Sequence, residues 1–394
     1  MQEFIHYTPT KVIFGKDTEL QTGTEVKLAG GTKVLIVYGG GSVKKSGLLE
    51  RVERVLEEEG IAYVEWGGVK PNPRLSHAEA GVKYALEEKI DFVLAVGGGS
   101  VIDTAKAIVF GMAHSEEDLW DVWMKKVPRV ATLPVGVILT ISAAGSETSG
   151  SAVLTNEETG KKSGCASGVN RPVFAIMNPE LTYTLPKYQI ACGVVDIMMH
   201  TLERYFIPNQ KNQMTDEIAE GLLRTVVKNG RIAIQNPEDY DAMSEIMWCG
   251  SLSHNDLTGL GRGAKDFSVH KFGHALSAKF DAAHGASLSA VWGEWAKYIY
   301  KSDPERFQQY GRTVWGIQEE DSLKAAEETI KCTIDYFKEL EMPISLSELG
   351  IGILSDDVLM ELSMDATMNG TVKIAQIQKL GLEDVYQIFS NANH

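Results

Sequence analysis

The stretch DFVLAVGGGS, residues 91–100, joins a continuous apolar run to three successive glycines. An unbroken apolar run, without alternating polar residues, is typical of a strand that is covered on both faces in a parallel sheet. Glycines directly after such a strand let backbone N–H groups approach a phosphate, and the N-terminus of the following helix adds a partial positive charge. The stretch therefore predicts a strand, a helix and, between them, a phosphate-binding loop formed by Gly97, Gly98, Gly99 and Ser100.

Short apolar runs and amphipathic patterns alternate on both sides of this stretch. Further strands are predicted at 33–38, 61–66 and 173–177, with helices at 47–59 and 75–88. This alternation predicts a right-handed, parallel, Rossmann-like α/β sheet. Beyond Pro186 helical periodicity dominates, and it predicts helices at 187–205, 214–227, 240–253, 268–279, 287–300 and 323–340. We therefore expect an α/β dinucleotide-binding domain over residues 1–185, an all-helical metal-binding domain over residues 186–394, and ligands in a cleft between them.

A second glycine cluster, Gly39-Gly40-Gly41-Ser42, follows the apolar run KVLIVY at residues 33–38. Neither cluster fits the GxGxxG fingerprint, because Lys44 and Ile102 occupy the place of the third glycine. Each cluster taken alone is equally consistent with a tight turn between a strand and a helix. Two clusters at corresponding strand ends favour dinucleotide binding.

The residues around the first cluster bear on the type of cofactor. An NAD-selective site usually places a carboxylate beside the ribose 2′-hydroxyl, where it would repel a 2′-phosphate. Here the cluster has small residues and the Ser42 hydroxyl, and Lys44 and Lys45 follow it. NADP(H) is therefore expected to bind at Gly40, Gly41 and Ser42. The alternative is that the two lysines are only a solvated helix start.

Composition argues against several classes of function. The chain has 394 residues and a formal net charge of −15, which fits neither nucleic acid nor an anionic membrane surface as a partner. The four cysteines show no CxxC spacing and residues 1–10 lack the apolar core of a signal peptide, so we expect a reducing, cytoplasmic location. The longest uncharged run, residues 130–146, contains Pro134 and Gly136 and fits a buried strand and loop better than a membrane span.

The second half of the chain contains residues suited to metal binding. Asp196 and His200 are four positions apart, as are His270 and His274, so each pair lies on one face of a helix. Together with His284 they offer one carboxylate and several imidazoles, a set that suits Fe(II) or Zn(II). A histidine taken alone is more commonly a hydrogen-bonded core residue, so the prediction rests on the group. Spacing leaves open whether His270 or His274 is the ligand.

Four motifs resemble those of a known family. They are Pro71-Asn72-Pro73, Gly97-Gly98-Gly99-Ser100-x-x-Asp103-x-x-Lys106, Asp196-x-x-x-His200, and His270-x-x-x-His274 followed by His284-Gly285. Over essentially its whole length the chain resembles the iron-containing, or group III, alcohol dehydrogenases. Its first glycine turn is similar to that of their NADPH-dependent butanol dehydrogenase and aldehyde reductase branch. Gly273, Ser277 and Ala283 depart from the commoner residues of the family's histidine signature, which leaves the shape of the pocket open.

The resemblance implies roles for particular residues. It implies a dehydroquinate synthase-like architecture with metal ligation by Asp196, His200, His270 and His284, and it gives His274 a catalytic role in the pocket, as a proton relay or a lining residue. It also implies that Asn72 and Asp103 lie in the cleft between the domains. The residues expected to surround the cofactor are Thr140, Ser142, Val153, Lys162 and Leu181. A homodimer is expected on the same basis.

The expected activity is hydride transfer between NADP(H) and a primary alcohol or aldehyde of the butanol and butanal kind, with the metal polarising the substrate oxygen. The nearest alternatives are NAD-dependent diol, lactaldehyde or glycerol dehydrogenases of the same family. A dehydroquinate synthase-like lyase would need a basic pocket, and the sequence has no Arg/Lys cluster near the expected ligands. A non-catalytic metal or nucleotide sensor is the remaining alternative, but a sensor has no need to keep both glycine loops and a full ligand set.

Overall fold

A computed structural model describes residues 1–129, 131–208 and 212–394. The chain forms two compact units, one comprising Tyr7–Thr184 and the other comprising Met1–His6 together with Leu185–His394. The α/β unit therefore begins at Tyr7, whereas the predicted domain begins at residue 1, because the first six residues belong to the helical unit. The Gln2 N–H donates to the Gly261 carbonyl at 2.8 Å, a contact between residues too far apart in sequence for any local pattern to indicate.

A six-stranded parallel sheet forms the centre of the α/β unit, and a two-stranded antiparallel hairpin accompanies it. In chain order, the strands of the described residues are β1 (Lys11–Phe14), β2 (Lys33–Tyr38), β3 (Ala62–Trp66), β4 (Phe92–Gly97), β5 (Val135–Leu139), β6 (Ser151–Asn156), β7 (Lys161–Ala166) and β8 (Phe174–Met177). The order across the large sheet is β1-β8-β5-β4-β2-β3, and β6 pairs with β7. Every residue of β4 is buried, as its unbroken apolar run predicts.

Helices cover this sheet by burying one face each. The α/β unit contains α1 (Thr22–Leu28), α2 (Ser42–Lys45), α3 (Leu48–Glu58), α4 (Leu75–Glu87), α5 (Gly99–Ala113) and α6 (Leu119–Trp123). In α3 the buried residues recur at helical spacing, and they are Leu48, Leu49, Val52, Val55 and Leu56. The opposite face of α3 is charged, so the sequence dictates which side meets the sheet.

The order of the strands brings the two glycine clusters together. From β2 the chain passes to β3 on one side and then returns to β4 on the other side of β2. Tyr38 of β2 pairs with Val96 of β4, so the two strands end at the same level. Ligands of open α/β sheets bind outside the carboxyl ends of the strands at such a change of direction. Gly39–Ser42 and Gly97–Ser100 both lie there.

The second unit is helical. Its described residues contain α7 (Lys187–Tyr205), α8 (Gln213–Gln235), α9 (Tyr240–His254), α10 (Ser268–Phe280), α11 (His284–Ile299), α12 (Pro304–Tyr310), α13 (Ser322–Glu339), α14 (Asp356–Ala366) and α15 (Leu382–Ala392). The helix α8 continues well beyond its predicted end at Val227, because Gly230, which resembles a stop signal, serves close packing. A Cβ added there would lie 2.3 Å from the Tyr336 hydroxyl. Among the described residues, no helix has the length and apolarity needed to cross a bilayer.

Candidate functional site

One carboxylate oxygen of α7 lies at the centre of the histidine cluster in the helical unit. Asp196 and His200 follow each other by one helical turn, and His200 Nδ1 lies 3.4 Å from Asp196 Oδ1. The helix α10 brings His270 Nε2 to 3.5 Å from the same oxygen. The first residue of α11 brings His284 Nε2 to 3.8 Å from it. The three histidines therefore each place a nitrogen 3.4–3.8 Å from Asp196 Oδ1, and Asp196, His270 and His284 form the compact group among the four predicted ligands.

Close helix packing makes this meeting possible. A Cβ on Gly285 would lie 2.1 Å from the Cys192 carbonyl oxygen, so only glycine lets the first turn of α11 approach α7 so closely. A Cβ on Gly273 would similarly lie 2.7 Å from Leu288 Cδ2, at the contact between α10 and α11. Two of the glycines in the histidine-rich stretch thus place the helices that carry the ligands.

The cluster fits a divalent metal ion. Asp196, His200 and His270 are only 3–5% exposed, yet Asp196 Oδ1, His200 Nδ1 and His270 Nε2 make no hydrogen bond of normal geometry with any described residue. Buried polar atoms are rarely left in that condition unless a ligand satisfies them. The ligand atoms of Asp196, His270 and His284 lie within 4.8 Å of one another. An ion bound tetrahedrally by bonds of about 2.0–2.2 Å separates its ligand atoms by roughly 3.3–3.6 Å, close to the spacings around Asp196.

The pKa values of two histidines in the cluster are shifted in opposite directions. Burial and the neighbouring rings of His254 and His270 hold the pKa of His200 well below its usual range. For His270 burial also acts to lower the pKa, but the carboxylates of Glu203 and Asp196 outweigh it and raise the pKa to about 9. One histidine of the cluster is therefore held neutral while another is surrounded by negative charge, so a cation is the ligand that this environment favours.

Three residues beside the cluster were missed by the sequence analysis. Glu203 is 1% exposed and accepts a hydrogen bond from His270 Nδ1. Arg204 Nη1 donates to the His200 carbonyl at 2.6 Å, and its Nη2 lies 3.1 Å from His254 Nδ1. The His254 ring lies 4.1 Å from that of His200, centroid to centroid. Glu203 lies on the same face of α7 as the predicted ligands, seven positions after Asp196, so helical spacing could have indicated it.

His274 lies beside the cluster, against the rings of His270 and His284. It is half-buried on α10, one turn after His270, and its ring stacks on that of His284 at 5.5 Å. Its separation from the His270 ring is 6.2 Å. Of the two histidines that spacing left open, His270 has a ring nitrogen at 3.5 Å from Asp196 Oδ1, which supports the ligand assignment that the resemblance implies.

In the α/β unit a buried ionic network fixes the surroundings of the second glycine loop. Lys106 Nζ donates to the carbonyls of Ser146, Ser149 and Ser151 at 2.6–2.9 Å and to Ser146 Oγ at 2.8 Å. Ser146 Oγ in turn donates to Asp103 Oδ1 at 2.7 Å. Burial lowers the pKa of Lys106 to about 8 and raises that of Asp103, and each shift is opposed by the other residue's charge. Asp103 thus has an internal structural role, and its place beside the cofactor stays a prediction.

The remaining predicted cofactor residues lie around the same loop or brace the hairpin. Thr140 follows β5 and its N–H donates to the Gly97 carbonyl at 3.1 Å. Ser142 is buried, and its hydroxyl makes no hydrogen bond with any described residue. This hydroxyl can therefore bind a polar ligand. The Val153 N–H donates to Asp103 Oδ2 at 2.9 Å.

Asn72 and Lys162 form a direct contact. Asn72 has a φ of 54° between its two prolines, a conformation that asparagine tolerates better than most residues. Its side-chain oxygen accepts a hydrogen bond from Lys162 Nζ at 2.7 Å, which ties the loop after β3 to strand β7. Leu181, by contrast, packs against the core between the sheet and α3.

The first glycine loop has an acidic neighbour that the sequence analysis did not consider. Gly40 and Gly41 are open, since a Cβ at either position would meet nothing within 4 Å, and Gly41 has a φ of 111°. Lys44 Nζ lies 2.8 Å from Glu65 Oε2, and Tyr38 Oη donates to the same oxygen at 2.6 Å. The positive charge expected to attract a 2′-phosphate is therefore paired with a carboxylate.

The two units thus define a class of protein that combines glycine loops at the switch point of a parallel sheet with a buried aspartate–histidine cluster on helices. Residues 9–179 match the iron-containing alcohol dehydrogenase family, and residues 190–393 match the C-terminal part of the Fe-containing alcohol dehydrogenase family. The chain belongs to this family, as the resemblance predicted. It is accordingly an oxidoreductase of alcohols and aldehydes, and a nicotinamide cofactor and iron are what the family implies.

Individual relatives cover most or all of the chain. NADH-dependent butanol dehydrogenase A of Clostridium acetobutylicum is 41% identical over 396 residues, with 100% of both chains covered. NADPH-dependent aldehyde reductase YqhD of Escherichia coli is 36% identical and covers 89% of this chain and 90% of its own. The crystal structure of NADH-dependent butanol dehydrogenase A from Thermotoga maritima has a TM-score of 0.96 and 37% identity, covering 100% of this chain and 99% of that one. The predicted two-part fold is confirmed by this likeness.

Proposed function

We propose that this chain catalyses the reduction of small apolar aldehydes to primary alcohols with NADP(H), using Fe(II) or Zn(II) held by Asp196, His200, His270 and His284. The observation that carries the proposal is the convergence of three histidine nitrogens on one buried aspartate oxygen, at 3.4–3.8 Å. An ion held there would act as a Lewis acid on the substrate oxygen, which is the chemistry that carbonyl reduction requires.

The residues of the chain would contribute position and protons. In the cluster, Asp196, His200 and His270 are buried, so they would hold an ion away from bulk water and strengthen its electrostatic effect. His274 is more accessible than these three and stacks on His284, so we assign it to proton relay or to lining of the substrate pocket. In the α/β unit, the Asp103–Lys106 network holds the segment that carries Ser142 beside the glycine loop.

The choice of NADP(H) rests on the open glycine corner and its lysines. Gly40 and Gly41 leave room for a 2′-phosphate, Ser42 offers a hydroxyl, and Lys44 and Lys45 are exposed. One observation favours the alternative cofactor NADH. Glu65 Oε2 lies 2.8 Å from Lys44 Nζ, so the carboxylate pairs with this ammonium and would repel a 2′-phosphate. Relatives named for each cofactor exist, since the butanol dehydrogenases are described as NADH-dependent and YqhD as NADPH-dependent.

The experiment that tests the proposal is a rate comparison. Oxidation of NADPH and of NADH is followed with butanal, first on chelated enzyme and then after anaerobic addition of Fe(II) or Zn(II). Activity that returns with metal and is stronger with NADPH is the expected result. A preference for NADH would overturn the cofactor assignment and leave the reaction class intact. Tight binding of metal and dinucleotide without turnover of any aldehyde would favour the lyase or sensor alternatives.

A second measurement addresses His274. The substitution His274→Ala is expected to keep the full metal content and to lower kcat, with a loss of about 100-fold or more if the residue takes part in proton transfer. Metal content is measured by atomic emission and kcat by initial rates across pH. An unchanged kcat over the whole pH range would remove His274 from the mechanism.

The homodimer and the cytoplasmic location also stay predictions. Light scattering on the purified protein would test the dimer directly, and fractionation of the source cells would test the location. A monomer at micromolar concentration would contradict the first expectation without affecting the assignment of the metal cluster.

A further inference from the structure

We propose that Glu203 is a positioning residue for the metal cluster, which holds the His270 ring so that its Nε2 faces Asp196 and which adds a second negative charge beside the ion. The inference rests on the proposed metal site. It concerns a residue outside the predicted ligand set, and it separates two functions that the cluster needs, namely binding the ion and aiming the ligands.

The contacts of Glu203 are directed at one ligand. Its Oε2 accepts a hydrogen bond from His270 Nδ1, and its Oε1 accepts one from the His270 backbone N–H at 3.1 Å. Both carboxylate oxygens are therefore committed to the same residue. Glu203 is 1% exposed, so the side chain has little freedom to choose another conformation.

This arrangement fixes the tautomer of the imidazole. A neutral ring whose Nδ1–H donates a hydrogen bond to a carboxylate presents the lone pair of Nε2 on the opposite side. In His270 that opposite nitrogen lies 3.5 Å from Asp196 Oδ1, and it makes no hydrogen bond of normal geometry with a described residue. A metal-ligating histidine commonly has such a carboxylate on its second nitrogen, which raises its basicity and fixes its orientation.

The charge of Glu203 matters as well as its direction. A buried divalent cation costs much solvation energy unless negative groups offset its charge. Asp196 supplies one negative charge, and Glu203, on the far side of the His270 ring, supplies a second. Two carboxylates balance the ion, so the three histidines can bind it in their neutral form.

Glu203 also has a structural contact, and the test must separate the two contributions. Because His270 is the third residue of α10, its backbone N–H is one of the donors that a helix leaves without an internal partner. A purely capping role would affect folding alone. A positioning role would in addition change the affinity for the ion and the symmetry of its surroundings.

The experiment compares three variants of the full-length protein. Glu203→Leu removes both acceptors and the charge, whereas Glu203→Gln keeps one acceptor oxygen for Nδ1 and removes the charge together with the second acceptor. Glu220→Gln is the matched control, because Glu220 is 2% exposed in the same unit and accepts hydrogen bonds from Tyr205 and Gln309. Binding of Zn(II) is measured by competition with a chromophoric chelator, and Co(II)-loaded protein gives the absorption spectrum of the site.

For Glu203→Leu we expect the affinity for Zn(II) to fall about 10-fold to 100-fold, the range for groups that orient metal ligands, and the Co(II) spectrum to change. Glu203→Gln should lose less affinity and keep a spectrum close to that of the unmodified protein. Glu220→Gln should change neither. If Glu203→Leu fails to fold, the affinity of Glu203→Gln decides, because a loss there with an intact circular dichroism spectrum still requires the carboxylate.

The inference would be overturned if the folded Glu203→Leu variant had the same Zn(II) affinity and the same Co(II) spectrum as the unmodified protein. If that variant does not fold, the same result in Glu203→Gln would overturn it. That result differs from failure of the metal site itself. In the latter case the unmodified protein would bind neither Zn(II) nor Co(II), and the variants would have nothing to alter.

Discussion

The buried Asp103–Lys106 network of the α/β unit finds its partners inside the chain, whereas Asp196 of the helical unit faces a group of histidine nitrogens. Lys106 is surrounded by four oxygen atoms at 2.6–2.9 Å, and Asp103 accepts two hydrogen bonds. Around Asp196 Oδ1, by contrast, three histidine nitrogens lie at 3.4–3.8 Å, too far for good hydrogen bonds. The first centre is complete without a ligand, whereas we expect the second to bind one.

The two centres contribute to the protein in different ways. Buried polar groups that satisfy one another stabilise a single conformation, and they can hold a backbone loop ready for a phosphate. Buried polar groups without partners cost free energy until a ligand arrives. We therefore expect the two centres to respond in opposite ways to substitution and to metal.

The largest effect is expected from Asp196→Ala. Loss of the central carboxylate should lower the affinity for metal by more than about 100-fold, beyond the range for residues that only orient ligands, and abolish activity with it. Metal content and initial rates are measured on the same preparation. Full occupancy by metal in this variant would show that the carboxylate is not a ligand, and the contrast between the two centres would fail.

A different kind of loss is expected from Lys106→Met. Removing the ammonium takes away the positive charge beside the buried Asp103 and one donor from the carbonyls of Ser146, Ser149 and Ser151, which should lower the free energy of unfolding of the α/β unit by about 3–5 kcal/mol. Chemical denaturation followed by circular dichroism measures the loss, and the metal content of the folded protein should not change. The exposed Lys83→Met on α4 is the control, and an equal response of both variants would contradict the network's role.

Metal itself should act on one unit only. At a free ion concentration 100 times the Kd, binding to the cluster stabilises the native state by about 2.7 kcal/mol. Amide hydrogen exchange, compared before and after Zn(II) is added to chelated protein, should slow in α7, α10 and α11. The loop Gly97–Ser100 should exchange at the same rate in both states. If exchange in that loop slowed as much as it does in α7, α10 and α11, the two centres would not be independent.

The smallest effect is expected at the first glycine loop. Glu65→Gln frees Lys44 from its ion pair, and the ratio of kcat/KM with NADPH to that with NADH should rise about twofold to fivefold, the scale of an exposed ion pair. Glu58→Gln on α3, another exposed glutamate with a basic partner, should leave the ratio as it is. A fall in the ratio after Glu65→Gln would mean that Glu65 does not oppose the 2′-phosphate.

Local patterns were enough to predict the strands and helices that carry the site. The unbroken run before Gly97 indicates β4 because a strand covered on both faces needs no polar alternation, and β5 lies in the uncharged run predicted as strand and loop. The i and i+4 spacing of Asp196 and His200 likewise indicates one helix face. These signals depend only on neighbouring residues, so sequence alone contains them.

Features that depend on distant residues were not predictable in this way. The hairpin of β6 and β7 has turn residues in Asn156 and Gly160, but Asp103, some 50 positions earlier in the chain, fixes its place by accepting from Val153. His254 reaches His200 only because α9 packs on α7. Glu203 is the intermediate case, since its spacing from Asp196 was visible but its contact with His270 spans 67 positions.

The glycine at position 285 determines more than the packing of α11. Because its missing Cβ sets how closely that helix approaches α7, it also sets how far His284 stands from the other three ligands. A side chain at this position would enlarge the space around the ion while every ligand stayed in the sequence. For protein engineering, the size of the ion that the cluster accepts is therefore adjustable from the backbone, at a residue that never touches the metal.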